Sequence, residues 1–230
     1  MRLRAVVVAM LLAAGAGSCT GSAPSPGPDE PSAAQRLAAA KAKVDAAPSM
    51  HLALTSKDLP PQVTGIVSAD GWGAHPPAFT GSFQMTVRGT PTGTDVIAVD
   101  GVVYARLPFV GRFARVDPQT LGAPDPARLF DPGSGLTSLL VATSDPVTAG
   151  QTRRGSEVLT AVRGGLDGAR IAQLFGVGDP AGRYAVVYGL TDPAGELRTV
   201  ELTGPFFAGA VSTYSLTLDR YGEPVDIRAP

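Results

Sequence analysis

Few residues of this chain are equipped for chemistry. Its 230 residues include one cysteine and two histidines. A nucleophile needs a base within hydrogen-bond reach, and His51 and His75 each lie far from any obvious partner. His51 falls on a stretch that alternates like a strand, and His75 sits in a proline-rich loop, so both read as exposed or hydrogen-bonded side chains. The chain holds no Gly-x-Ser-x-Gly elbow. Asp125 with Asp131, and Asp95 with Asp192, lack the spacing of an acid–base pair. Gly164-Gly165 and Gly176-Val177-Gly178 lack the phosphate-loop lysine and the dinucleotide-binding spacing, so they read as turns. Two histidines without a cysteine cluster cannot build the usual structural zinc site, and no cofactor is expected. A single cysteine allows no intramolecular disulfide. The net charge is −1, and Arg153-Arg154 is too short a basic cluster to hold nucleic acid. The residues point to a protein that is not an enzyme.

The one reactive side chain with a clear setting is Cys19. Met1 to Arg4 is a short basic segment, and Ala5 to Ala14 is an apolar run of about ten residues, too short to span a bilayer but right for a signal core. Ala16-Gly17-Ser18-Cys19 then resembles a bacterial lipobox, with Ala16 where leucine is usual. That likeness implies cleavage before Cys19, a diacylglycerol thioether on its sulfur, and acylation of the new amine. Each buried methylene contributes roughly 0.8 kcal/mol, so two or three chains hold stably where one does not. Residues 1–18 are thus expected to be a lipoprotein signal peptide. Residues 19–31 are expected to be the lipidated cysteine and a Gly/Ser/Pro tether reaching on the order of 20 Å. The folded domain is expected over 32–230, close to the outer face of the cell membrane.

With catalysis set aside, apolar binding remains. A pocket for hydrocarbon needs no reactive group, only apolar walls that fail to close and an opening for a polar head. The stretch Ala127 to Ala142 is the expected centre. Leu136, Leu139 and Leu140 fall at i, i+3 and i+4 on one helical face. Asp131 and Ser134 are N-cap types, and Pro132 suits a first helical position. A second internal helix, Asp167 to Phe175, offers Ile171, Leu174 and Phe175. From the strands the expected wall takes Phe83, Met85, Val87, Val99, Tyr104, Tyr214 and Leu216. Side chains of these types more often pack a dry core, so the alternative is a filled interior.

These residues must be positioned by a largely β framework. Ser32 to Ala47 reads as a capped helix with Leu37, Ala40 and Val44 on its buried stripe, ended by Pro48. Met50, Leu52 and Leu54 alternate as a half-buried strand. Val63 to Ala69 resumes as strand, and Gly71 to Pro77 reads as a loop. Phe79 to Val87 is the clearest strand, apolar on one side and wet on the other. Asp100-Gly101 between two apolar runs signals a hairpin over Asp95 to Leu107. Further strands are expected at Phe113 to Val116, Thr143 to Thr152, Ser156 to Arg163, Tyr184 to Leu190, Leu197 to Leu202, Ser212 to Leu218 and Val225 to Arg228. The fold class is therefore α+β: one curved antiparallel sheet of about ten strands, a half-barrel, with helices on its concave face.

Three stretches carry a resemblance: Val99-Asp-Gly-Val-Val-Tyr104, Phe130-Asp-Pro-Gly-Ser-Gly-Leu-Thr-Ser-Leu-Leu140, and Leu216-Thr-Leu-Asp-Arg-Tyr-Gly-Glu-Pro-Val225. With Cys19 and the opening helix, they make the chain similar to the LppX/LprA/LprF/LprG lipoproteins of mycobacteria and relatives. The resemblance implies a half-barrel enclosing an apolar cavity. It implies a cargo of multi-acyl lipid or glycolipid, such as triacylated glycolipids, lipoglycans, triacylglycerol or phthiocerol dimycocerosates. It further implies transport across the periplasm towards the outer membrane, an inner-membrane lipid anchor through Cys19, and an export transporter as partner. The run Gly71 to Pro77, with the only tryptophan, departs from the family pattern. The alternative is a tethered envelope protein without cargo, which would have a closed core and an exposed apolar patch.

Overall fold

The structure, a computed structural model, describes residues 30–106, 111–118 and 123–230. Cys19, the expected signal segment and most of the expected tether lie outside the described residues.

Helix α1 (Ala33–Ala46) begins with a capping box: the Gln35 amide donates to Ser32 Oγ at 3.3 Å, and the Ser32 amide donates to Gln35 Oε1 at 2.8 Å. Its buried residues, Ala33, Leu37, Ala40 and Val44, form one stripe. Pro48 follows Ala47, whose extended backbone ends the helix.

The strands are β1 (Ser49–Lys57), β2 (Gly65–Ala74), β3 (Ala78–Val87), β4 (Thr90–Val99), β5 (Val102–Arg106), β6 (Phe113–Val116), β7 (Ser144–Arg154), β8 (Glu157–Asp167), β9 (Arg183–Thr191), β10 (Leu197–Phe207) and β11 (Ala210–Asp219). They form one antiparallel sheet in the order β6-β5-β4-β3-β2-β1-β11-β10-β9-β8-β7. Two meanders, β1–β6 and β7–β11, meet where β1 pairs β11, with Leu52 opposite Leu218 and Leu54 opposite Leu216. The outer edges are protected: β6 has four residues, and β7 carries Pro146 and two register shifts.

This order imposes a crossing. After β6 the chain stands at one edge of the sheet, and β7 begins at the other. Ten strand spacings of about 4.8 Å separate them, roughly 48 Å along the sheet. The chain makes the journey over the face that α1 covers. On the way it forms a 3-10 helix (Pro126–Phe130), packed on β2, β3 and β4, and the short helix α2 (Ser138–Ala142), packed on α1. Helix α3 (Gly168–Phe175) follows β8 and packs back on it, ending at Gly176 in the left-handed region.

Several sequence expectations need correction. Gly71-Trp72-Gly73 belongs to β2 and is not a loop. The glycines face inward and leave room for rings: a Cβ on Gly73 would lie 1.9 Å from Phe130 Cε1, and one on Gly71 would lie 2.8 Å from Phe79 Cζ. Asp131 and Ser134 do not cap α2. Asp131 closes the 3-10 helix, and its Oδ1 accepts from the Gly133 amide, the Ser134 amide and the Ser134 hydroxyl at 2.7–2.9 Å. Those bonds, the Ser134 amide first, hold its carboxyl below the usual carboxylate range. Val225 to Arg228 forms no strand, because β11 has already turned away after Asp219. Asp100 and Gly101 do form the expected hairpin turn, both with positive φ.

Candidate functional site

The face of the sheet under the helices is not filled. Between them lies a cavity of about 170 Å³. One water needs ~10–15 Å³, so this is a hollow and not a packing flaw.

Its walls are built by strand alternation. From β1 come Met50, Leu52 and Leu54, and from β3 Phe79, Phe83 and Met85. A bulge between Ile66 and Ser68 in β2 turns both Ile66 and Ala69 inward and leaves Val67 outside. Beyond the β1–β11 seam the wall continues with Leu216 and Tyr214, then with Val200, Leu202, Phe206 and Phe207 of β10. Helical segments form the opposite side: Val44 of α1, Leu129 and Phe130 of the 3-10 helix, Leu136, Leu139, Leu140, Phe175 and Val177. Phe130 stacks on Phe79 with ring centres 6.2 Å apart, which fixes the 3-10 helix over β3.

Polar anchors hold this cover in place. Thr137 Oγ1 donates to Asp45 Oδ1 at 2.7 Å, and Lys41, paired with Asp45, donates to the Pro132 carbonyl at 2.5 Å. Thus α1 and the crossing segment are joined beside the hollow. On the far side, the Tyr188 hydroxyl and Thr143 Oγ1 lie 2.9 Å apart. Burial pushes the Tyr188 and Tyr214 hydroxyls up to about 12, so both face the cavity as neutral groups.

Phe83, Met85, Leu136, Leu139, Leu140, Phe175, Tyr214 and Leu216, expected on a wall, all line this cavity. The others lie elsewhere. Val87 shares the face of Met85 but ends β3 beyond the helical cover and is 40% exposed. Val99 follows the inward Ala98, so alternation turns it to the outer face. Tyr104 lies between the inward Val103 and Ala105 and meets Arg115, whose guanidinium carbon sits 5.9 Å from the ring centre. Ile171 is fully buried in the core, away from the wall. Leu174 lines a second, polar cleft.

That cleft adjoins the cavity and shares Ala123, Pro124 and Leu139 with it. Arg115, Arg128, Arg170, Gln173, Asp117 and Asp125 are among its other lining residues. Several cavity residues were not picked out from the sequence. Met50, Leu52 and Leu54 are legible as one strand face, but only the register with β2 and β11 shows what they face. Phe206 and Phe207 lie beyond the expected end of β10. His75, expected at the surface, sits at the β2–β3 turn and lines the cavity.

His51 lies away from the cavity. It lies on the outer face, with Nδ1 2.8 Å from Asp219 Oδ1 and Nε2 3.2 Å from Asp70 Oδ2, and its ring is edge-on to Trp72. This cluster joins β2, β1 and β11 across the seam.

Comparison with known proteins places this architecture. The lipoarabinomannan carrier protein LprG of Mycobacterium tuberculosis (strain ATCC 25618 / H37Rv) is 25% identical over 231 residues, covering 99% of this chain and 93% of its own. The protein of the same name from Mycobacterium bovis (strain BCG / Pasteur 1173P2) matches equally. Among solved structures, LprF of Mycobacterium bovis superimposes with a TM-score of 0.67 at 21% identity, over 90% of this chain and 99% of that one. LppX of Mycobacterium tuberculosis gives 0.62 at 16% identity, over 85% and 98%. Both share the fold described above. The model of the LppX_LprAFG lipoprotein family matches residues 32–227, from the cap of α1 to beyond the last strand, and this chain belongs to that family.

Proposed function

We propose that this chain binds acyl lipids in the sheet–helix cavity and carries them through the cell envelope while anchored to the membrane by Cys19. The observation that carries this reading is the hollow itself: a wall of leucines, phenylalanines and Met85 held apart from an equally apolar cover. The LprG relatives are named as lipoarabinomannan carriers, which supports a glycolipid or other multi-acyl cargo here. The tails occupy the cavity, and the polar head lies in the adjoining cleft beside Arg115, Arg128 and Arg170. Binding by burial alone accounts for the lack of a nucleophile–base pair in the sequence, and the function is carriage, not catalysis.

Energetics favour a carrier over a sink. Moving a tail from water into the cavity gains roughly 0.8 kcal/mol per methylene. Moving it from a bilayer exchanges one apolar setting for another, so that gain largely cancels. A cavity lined this way can therefore both take up and release lipid, with the net preference set by the polar head. The anchor on Cys19 and the tether keep the domain on the periplasmic side of the inner membrane, where a transporter supplies cargo bound for the outer membrane.

Solvent extraction of the purified chain, followed by mass spectrometry, tests this. Acyl lipid in about equimolar amount is expected from the unaltered chain, and little from Leu140→Trp, whose indole fills the space beside Leu139. A chain from a lipid-rich host that yields no lipid refutes the reading.

A further inference from the structure

His75 is a cavity residue that hydrocarbon cannot satisfy. Its backbone amide donates to the Pro48 carbonyl at 2.9 Å, which pins the β2–β3 turn beside the end of α1. Both ring nitrogens are sequestered from solvent and have no hydrogen-bond partner among the described residues. Two other polar side chains on the wall are already engaged, Thr137 with Asp45 and Tyr188 with Thr143. A neutral imidazole carries one N–H donor and one acceptor nitrogen, and leaving both unpaired is a cost the chain bears by itself. Packing another methylene against the ring does not relieve it. Oxygen does: a carbonyl accepts from the N–H, and a hydroxyl donates to the bare nitrogen.

We propose that His75 is a specificity-determining residue of the cavity, recognising an acyl ester that carries a free hydroxyl a few atoms away. Partial glycerides and hydroxyacyl esters have this chemistry, whereas simple hydrocarbon and fully esterified glycerol do not. This inference rests on the lipid-carrier reading above and adds to it the chemistry of the cargo at its polar junction.

The test uses the full chain in detergent micelles and a matched pair of probes, 1,2-dioleoylglycerol and its 3-O-methyl ether, which differ only in the hydroxyl donor. The unaltered chain is expected to bind the free-hydroxyl lipid about five- to tenfold more tightly, the usual effect of one hydrogen bond. His75→Leu is expected to bind both equally and to melt no lower than the unaltered chain. His75→Gln, whose amide both donates and accepts, is expected to keep part of the preference. Val211→Ala, exposed on β11 and away from the wall, is expected to keep it fully. Equal binding of the two probes by the unaltered chain overturns the proposal, as does a preference that survives in His75→Leu. Should His75→Leu fail to fold, the probe pair on the unaltered chain and on His75→Gln still decides. If neither probe binds to folded protein, the carrier reading fails first and this inference falls with it.

Discussion

At position 73 a side chain of even one carbon has nowhere to go. Phe130 occupies that volume, and a Cβ there would lie within 2.3 Å of three of its ring carbons. Gly73→Ala is therefore expected to push Phe130 off its stack on Phe79 and to cost about 1–3 kcal/mol, read by urea denaturation. Because Phe130 lines the cavity, the same change should also reduce lipid recovered by extraction. An unchanged urea midpoint would mean that Phe130 has other room. Tyr188 and Tyr214 support a prediction about pH. Burial raises both hydroxyls from 10 to about 12, so the folded chain holds these protons more tightly than the unfolded chain. Their contribution to stability is present in full below the unfolded value and is lost as pH rises from about 10 towards 12. The urea midpoint should fall between about pH 9 and about pH 11, and Tyr214→Phe should lessen that fall.

At the scale of elements, the cover depends on its ties. Asp45 receives both Lys41 and Thr137 and so links α1 to the segment that crosses the sheet. Asp45→Ala leaves Thr137 without its acceptor and is expected to cost about 1–2 kcal/mol, with faster hydrogen exchange in residues 137–142 than elsewhere. Uniform exchange would show that apolar packing alone holds α2. Elements also differ in how plainly the sequence announces them. The stripe and cap of α1 are local, as is the Asp100-Gly101 turn, and both are legible from neighbours in sequence. The glycines of β2 mislead because their role is to admit rings from residues 79 and 130. Val99 and Tyr104 mislead because a strand's alternation shows two faces without naming the buried one. Crossing segments carry weak local signals. Leu136, Leu139 and Leu140 are legible as one face, whereas the Asp131 turn that precedes them resembles a helix start.

Across the whole molecule, the seam between β1 and β11 joins residues that lie far apart in sequence, and the two meanders become one sheet only when it forms. It brings two independent meanders to one continuous wall, with His51, Asp70 and Asp219 clasping the outside. The cavity lies on the inner side, lined from both meanders. The proposed anchor, Cys19, precedes the family-matched stretch 32–227, which gives a clean prediction. Cys19→Ser should move the chain from the membrane to the soluble fraction on cell fractionation, with its circular dichroism and lipid content unchanged. Retention in the membrane would reject the thioether anchor.

Composition and periodicity suffice, without coordinates, for an antiparallel β framework opened by a capped helix with an apolar stretch at its centre. Those features depend on short-range alternation and on turn chemistry, which a linear string records directly. Three things came only with tertiary structure: which face of each strand turns inward, that the cover stands off from the wall, and that His75 lines the cavity with both ring nitrogens shielded and unpaired among the described residues. Each depends on how distant segments meet, and a vacant volume is a property of surfaces that do not touch, for which no residue carries a local mark.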